Sequence, residues 1–170
     1  MRIHSALGSL ALILAFIVAP LDCSFAQSSA DDPDWTEADT PPPPAFELKR
    51  GLPFDVSINS SLQFSVDPQT IQFGKDGVTS YVVMATSSTG ALNAMYEGLR
   101  CATGEFKTYA RYNPGSGWSL AKAPLWKSVF ATDISPHTLR LARKALCSGT
   151  SPVSNLREVV TRLKSTMIVD

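Results

Sequence analysis

VTSYVVMAT, residues 78–86, is a run of β-branched, aromatic and small apolar side chains that carries no charge and barely alternates. A strand with one face in a core alternates apolar with polar residues. A run that is apolar on both faces reads as a central strand covered on two sides. Upstream of it, Leu62, Phe64 and Val66 alternate with Ser61, Gln63 and Ser65, the pattern of a strand with one buried face. Asp67-Pro68 then supplies a turn, with Asp at its first position and Pro at its second. Ile71 and Phe73 alternate with Thr70 and Gln72, and Asp76-Gly77 is a hairpin signal leading into 78–86. Downstream, Ser87 to Gly90 turns the chain. Residues 91–101 and 105–112 read as a further antiparallel pair, with Gly104 in the left-handed position of a three-residue loop. Asn113 to Gly117 ends the sheet, and Trp118 either caps the core or begins a last short strand.

The C-terminal third reads as helical. Pro124-Leu125-Trp126 can open a short helix to Phe130. Ser135-Pro136 is an N-cap followed by proline at the first helical position, for a helix ending at Cys147 and stopped by Gly149. Its expected apolar stripe is Leu139, Ala142 and Leu146; Arg140, Arg143 and Lys144 share another face. A last helix runs from about Ser154, its cap, to Lys164, with Leu156, Val159, Val160 and Leu163 as its apolar face. The expected class is therefore α+β: an antiparallel β-meander sheet followed by two or three C-terminal helices.

At the other end, Arg2 precedes an uncharged, mostly apolar run from Ala6 to Ala19, Pro20 breaks it, and Ser24-Phe25-Ala26 offers small residues at a cleavage site. This is the layout of a signal peptide over residues 1–26, too short in its apolar part to span a bilayer. Lipidation at Cys23 is the alternative, with Asp22 standing where a small residue is wanted. The expected location is the periplasm, with no integral span in the mature chain. Residues 27–34 read as a mobile acidic N-terminus, 35–50 as a proline-rich strap docked on the domain through Trp35 and Phe46, and 51–170 as one α+β domain. Cleavage leaves Cys101 and Cys147, an even pair that reads as a disulfide in an oxidising compartment; two free buried thiols are the alternative.

Charge is zero overall but uneven. Residues 27–50 set six acids against Lys49 and Arg50, whereas 81–170 set eleven bases against five acids. The basic half is too diluted by acids and apolar residues to indicate nucleic acid. His137 is the one histidine after the signal, which leaves too few nitrogen and sulfur ligands for a metal site, and no motif indicates a cofactor. Asp133, Ser135 and His137 lack the spacing and the glycine-flanked turn of a hydrolytic triad. His137, with only helix-start neighbours in sequence, is read as having no orienting acceptor, so no catalytic dependence on it is expected. Glu97 and Glu105 could be paired carboxylates for acid–base work, but each has a base nearby in sequence and reads as a structural ion pair. The strand at 105–112 offers more. Strict alternation places Glu105, Lys107, Tyr109 and Arg111 on one face, a tyrosine between two cations able to hold a carboxylate or phosphate. Lys107, Tyr109, Arg111 and Glu97 form the candidate ligand set, against a cross-strand charge ladder. Arg140, Arg143 and Lys144 are a secondary basic face, against an ordinary solvated helix surface.

DWTEAD (34–39), PPPP (41–44), GLPFDV (51–56), SLQFSVDPQTI (61–71), DGVTSYVV (76–83), NAMYEGLRCATGEFKTYARY (93–112) and GWS (117–119), taken together, resemble the bacterial envelope family called cryptic neisserial protein-like. The likeness runs from about Trp35 to about Cys147. It implies a small exported protein of a Gram-negative envelope, places the proline strap within the domain, and brings no catalytic residues with it. The expected function is a non-enzymatic periplasmic binding or interaction module for an envelope protein, polymer or anionic ligand. The alternative is an enzyme acting on envelope carbohydrate or peptide through carboxylates.

Overall fold

A computed structural model describes residues 32, 34–57, 60–132 and 136–165. The signal peptide, Cys23, most of the acidic N-terminus, Asp133 and Ser135 lie outside the described residues. The sheet runs β1 (Leu52–Phe54), β2 (Leu62–Val66), β4 (Val78–Ser87), β5 (Leu92–Arg100), β6 (Glu105–Asn113) and β7 (Gly117–Leu120), in that order and antiparallel throughout. β4 is central, and Tyr81, Val82, Val83 and Met84 are all fully buried. Alternate residues of β4 go to different cores. Tyr81 and Val83 join Phe54, Phe64, Leu99, Phe106 and the helices; Val82 and Met84 join Tyr96, Tyr109 and Ala110 beneath Phe46 and Trp118.

The short β3 (Gln72–Phe73) departs from a meander. Asp67-Pro68 does not reverse the chain: β2 and β3 both pair antiparallel with β4, β2 along Val83–Ser87 and β3 along Thr79–Ser80. Residues 68–70 are a single 3₁₀ turn, a jog in one edge. Buried polar groups fill the gap in the ladder. Thr70 Oγ1 accepts from Val82 N (2.9 Å) and donates to Asp67 O (2.7 Å). Asp67, fully buried, accepts from Gln69 N, Glu47 N and the Arg50 guanidinium. Burial pushes its carboxyl up, but the Arg50 and backbone donors outweigh that and hold it below the usual carboxylate range. The hairpin turns follow their glycines: Gly77 and Gly104 adopt φ of 82° and 64°.

Beyond the sheet the helical reading changes in three places. Residues 124–130 do not form a helix; β8 (Lys127–Ser128) adds to β6 opposite Glu105 and Phe106. Two helices remain among the described residues. α1 (His137–Leu141) widens into a π-helical segment at Ala142–Leu146. The wider turn rotates the apolar stripe, which is Leu141, Ala142, Ala145 and Leu146, with Leu139 only half-buried. α2 (Leu156–Lys164) is capped by Asn155, whose Oδ1 accepts from Glu158 N at 3.0 Å; Ser154 instead meets the Glu158 side chain. Between the helices, β9 (Cys147–Ser148) and β10 (Ser151–Pro152) make a small hairpin. Cys101 and Cys147 are disulfide-bonded, their Cα atoms 5.8 Å apart, tying the end of β5 to the end of the helical segment. No helix among the described residues is long and apolar enough to cross a membrane.

Candidate functional site

One irregularity decides where the chemistry lies. β5 and β6 pair in register from Arg100↔Glu105 to Glu97↔Thr108, and then Tyr96 pairs with Ala110. Tyr109 is the extra residue of a β-bulge, and beyond it the in–out phase of β6 is inverted. Strict alternation fails for this reason. Lys107 and Tyr109 face the side where residues 35–47 lie, while Arg111, opposite Met95, joins Phe106, Thr108 and Glu97 on the helix side. The candidate set Lys107, Tyr109, Arg111 and Glu97 is thereby split between two faces.

On the first face the partner of the cation and the phenol is an acid 70 residues upstream. Glu37 forms an ion pair with Lys107, accepts from Tyr109 Oη at 2.7 Å and accepts from Trp126 Nε1 at 3.1 Å. Trp35 lies beside it. Arg100 stacks 3.9 Å over its ring, Trp126 meets it edge-on at 5.8 Å, and its Nε1 donates to Asp76 O at 2.8 Å. Phe46 packs edge-on against Tyr112 and Trp118. Gly98 makes room for this arrangement: a Cβ there would stand 2.4 Å from Tyr109 Oη. Neither Glu97 nor Glu105 neutralises Lys107, so the ladder reading is replaced by a contact with the strap.

Burial pushes the Glu37 carboxyl up, yet the hydrogen bonds from Lys107, Tyr109 and Trp126 win and hold it below its ordinary value. Burial, and then Glu37 itself, raise the Tyr109 phenol, which therefore remains protonated. A depressed carboxyl stabilises the fold above its unfolded pKa and loses that contribution as pH falls through the folded value. The strap should therefore loosen on the acid side of about pH 4.3, the ordinary glutamate value. Tryptophan emission against pH should show an acid step that Glu37→Gln removes; a step on the alkaline side of neutrality would contradict the assignment.

The second face holds a buried polar cluster. Glu97 is fully buried, and His137 is 4% exposed. His137 Nε2 lies 3.1 Å from both carboxylate oxygens, Tyr81 Oη donates at 3.1 Å, and Thr108 and Thr138 hydroxyls donate at 3.3 Å. Burial, followed by the charge of Glu97, raises the Tyr81 phenol well above its ordinary value, so it stays a donor. Phe64 stacks on the imidazole at 5.4 Å, and His137 Nδ1 is buried with no partner among the described residues. The reading of His137 as isolated is corrected: its orienting acceptor comes from β5, 40 residues away in sequence. The reading of Glu97 as a Lys or Arg ion pair is corrected in the same stroke.

This cluster sits at the inner end of an open cavity of about 870 Å³. Phe64, Ala85, Met95 and Phe106 lie along the cavity floor, each of them buried in the main core with less than a tenth of its surface exposed. Residues 119–121 and 123–125 form a side wall. Leu120 and Leu125 are 68% and 72% exposed there, and Arg111 and Lys127 are exposed at the rim. Glu97 is the single acid among the described lining residues. The residues of the secondary basic face have separate neighbours. Arg143 lies 6.0 Å over the Phe130 ring, Lys144 donates to the Ser165 carbonyl, and Arg140 is exposed.

The model of the CNP1-like family, a family of small bacterial proteins, matches residues 30–164. No curated protein matches the chain, and no solved structure does.

Proposed function

The chain belongs to the CNP1-like family, and from the site it carries we propose that it is a non-enzymatic binding module of the bacterial periplasm, exported by its signal peptide, that holds an envelope component in this cavity. The observation that carries this reading is the cavity itself. An apolar floor with a few convergent polar groups is the composition of a ligand site, and about 870 Å³ is the size of one. The enzyme alternative needs two facing carboxylates. The described lining supplies one, Glu97, whose oxygens already accept four donors and are turned inward.

Site-directed photocrosslinking in the periplasm tests it. With p-benzoylphenylalanine in place of Leu125, at the cavity mouth, irradiation should give a discrete adduct. The same group in place of Leu48, exposed but away from the cavity, should not. No adduct at Leu125, or equal adducts at both positions, would overturn the reading.

A further inference from the structure

Resting on that reading, we propose that the cavity takes a single-chain anionic amphiphile, an acyl chain ending in a carboxylate, with its chain on the sheet floor and its charge on Arg111. Four features converge on this chemistry. The floor is apolar over β2, β4, β5 and β6 through Phe64, Ala85, Met95 and Phe106. Leu62, Leu120 and Leu125 continue it to the mouth, 36%, 68% and 72% exposed. The bulge at Tyr109 turns Arg111 from the strap face onto this floor, opposite Met95. Arg111 has no carboxylate within ion-pair distance among the described residues, and neither does the other lining cation, Lys127.

The acid within the cavity, Glu97, forms no ion pair with Arg111. Glu97 is fully buried and held by Tyr81, Thr108, Thr138 and His137, so it satisfies its own cluster. A guanidinium left unpaired beside an apolar surface suits a planar carboxylate, which it can hold through two parallel N–H donors. The charge complementarity is local: Lys127 lies opposite Phe106, at the far end of the β6 wall from Arg111. One charged end and one apolar floor fit one chain. The amphiphile of this site is therefore a free single-chain species rather than a bilayer lipid.

The test uses the oxidised mature protein, dodecanoate and its neutral analogue dodecanol, both below their aggregation limits, at pH 7.5 in isothermal titration. Dodecanoate should bind at least tenfold more tightly than dodecanol. Arg111→Gln should erase that difference while leaving dodecanol binding intact. Asn93→Trp places a large ring on an exposed lining position and should weaken both. Equal affinities in the wild type, an unaffected Arg111→Gln, or binding only to phosphatidylglycerol vesicles would overturn the amphiphile assignment. The binding-module reading fails on a different result: the absence of a Leu125-specific crosslink.

Discussion

Glu97→Ala should lower unfolding stability by about 2–5 kcal/mol, the range for truncating a fully buried side chain, with the donors it leaves unpartnered adding to the loss. The carboxylate sits with no exposed surface at the junction of β4, β5, β6 and α1. Its loss strands the Tyr81 phenol, two threonine hydroxyls and His137 Nε2 away from water, and it opens a void in the space the side chain filled. Glu97→Gln retains the volume and one acceptor oxygen but turns an amide N–H₂ toward groups that donate. It should cost about 1–3 kcal/mol, the range for leaving a buried donor unsatisfied. Urea unfolding followed by far-UV circular dichroism reads both. An alanine variant within about 1 kcal/mol of wild type, less than the penalty for one buried unpaired group, would mean the cluster is hydrated rather than closed. The prediction is also specific to the pair. His137→Ala in the Glu97→Ala background should cost much less than in the wild type, because the partner it would lose is already absent.

The same residue shows how far the amino-acid pattern reaches. Met95, Glu97 and Leu99 share one phase of β5, so a glutamate stands where the alternation demands an apolar side chain. A charge in an apolar phase signals a buried carboxylate that must be paired. Reading Glu97 by its neighbours in sequence, Arg100 above all, hid that signal. The partner, His137, lies on an element whose approach is set by helix packing, and local pattern does not encode it. The face assignment of Arg111 failed for another reason. A bulge adds one residue without changing composition, and a period-two argument has no means to register the addition. Glu37 was out of reach because the strap crosses the sheet 70 residues from Lys107. What was legible rests on local chemistry with few solutions: the doubly buried strand at 78–86, the glycine turns at Gly77 and Gly104, and the pairing of Cys101 with Cys147. Pro124 and the apolar residues after it read as the start of a short helix to Phe130. The edge of β6 had an unpaired row of backbone groups to offer, and β8 takes it.

Replacing both cysteines, Cys101→Ala with Cys147→Ala, should cost about 4 kcal/mol, the loop-closure entropy of a cross-link spanning 46 residues. The closed loop is not arbitrary. It contains β6, β7, β8 and α1, and so Phe106, Thr108, Arg111, residues 119–121 and 123–125, Lys127 and His137, which is most of the cavity wall. Its closing end is held a second time: Arg162 of α2 donates to Cys147 O at 3.0 Å, and Val153 N donates to Leu146 O at 2.9 Å. These native contacts survive the substitution, because none uses a sulfur atom. The loss should therefore act through the unfolded chain, which expands when the cross-link is gone. The urea m-value should rise along with the fall in midpoint, since more surface becomes exposed on unfolding. Two alanines beside Leu99 and Leu146 also leave a small packing defect, which adds to the cost without changing m. If the midpoint falls with m unchanged, the bond acts through native packing alone and the entropic account is wrong. If the stability stays within about 1 kcal/mol of wild type, a small fraction of what closing such a loop contributes, the α1 and β6 contacts hold the cavity wall without the cross-link.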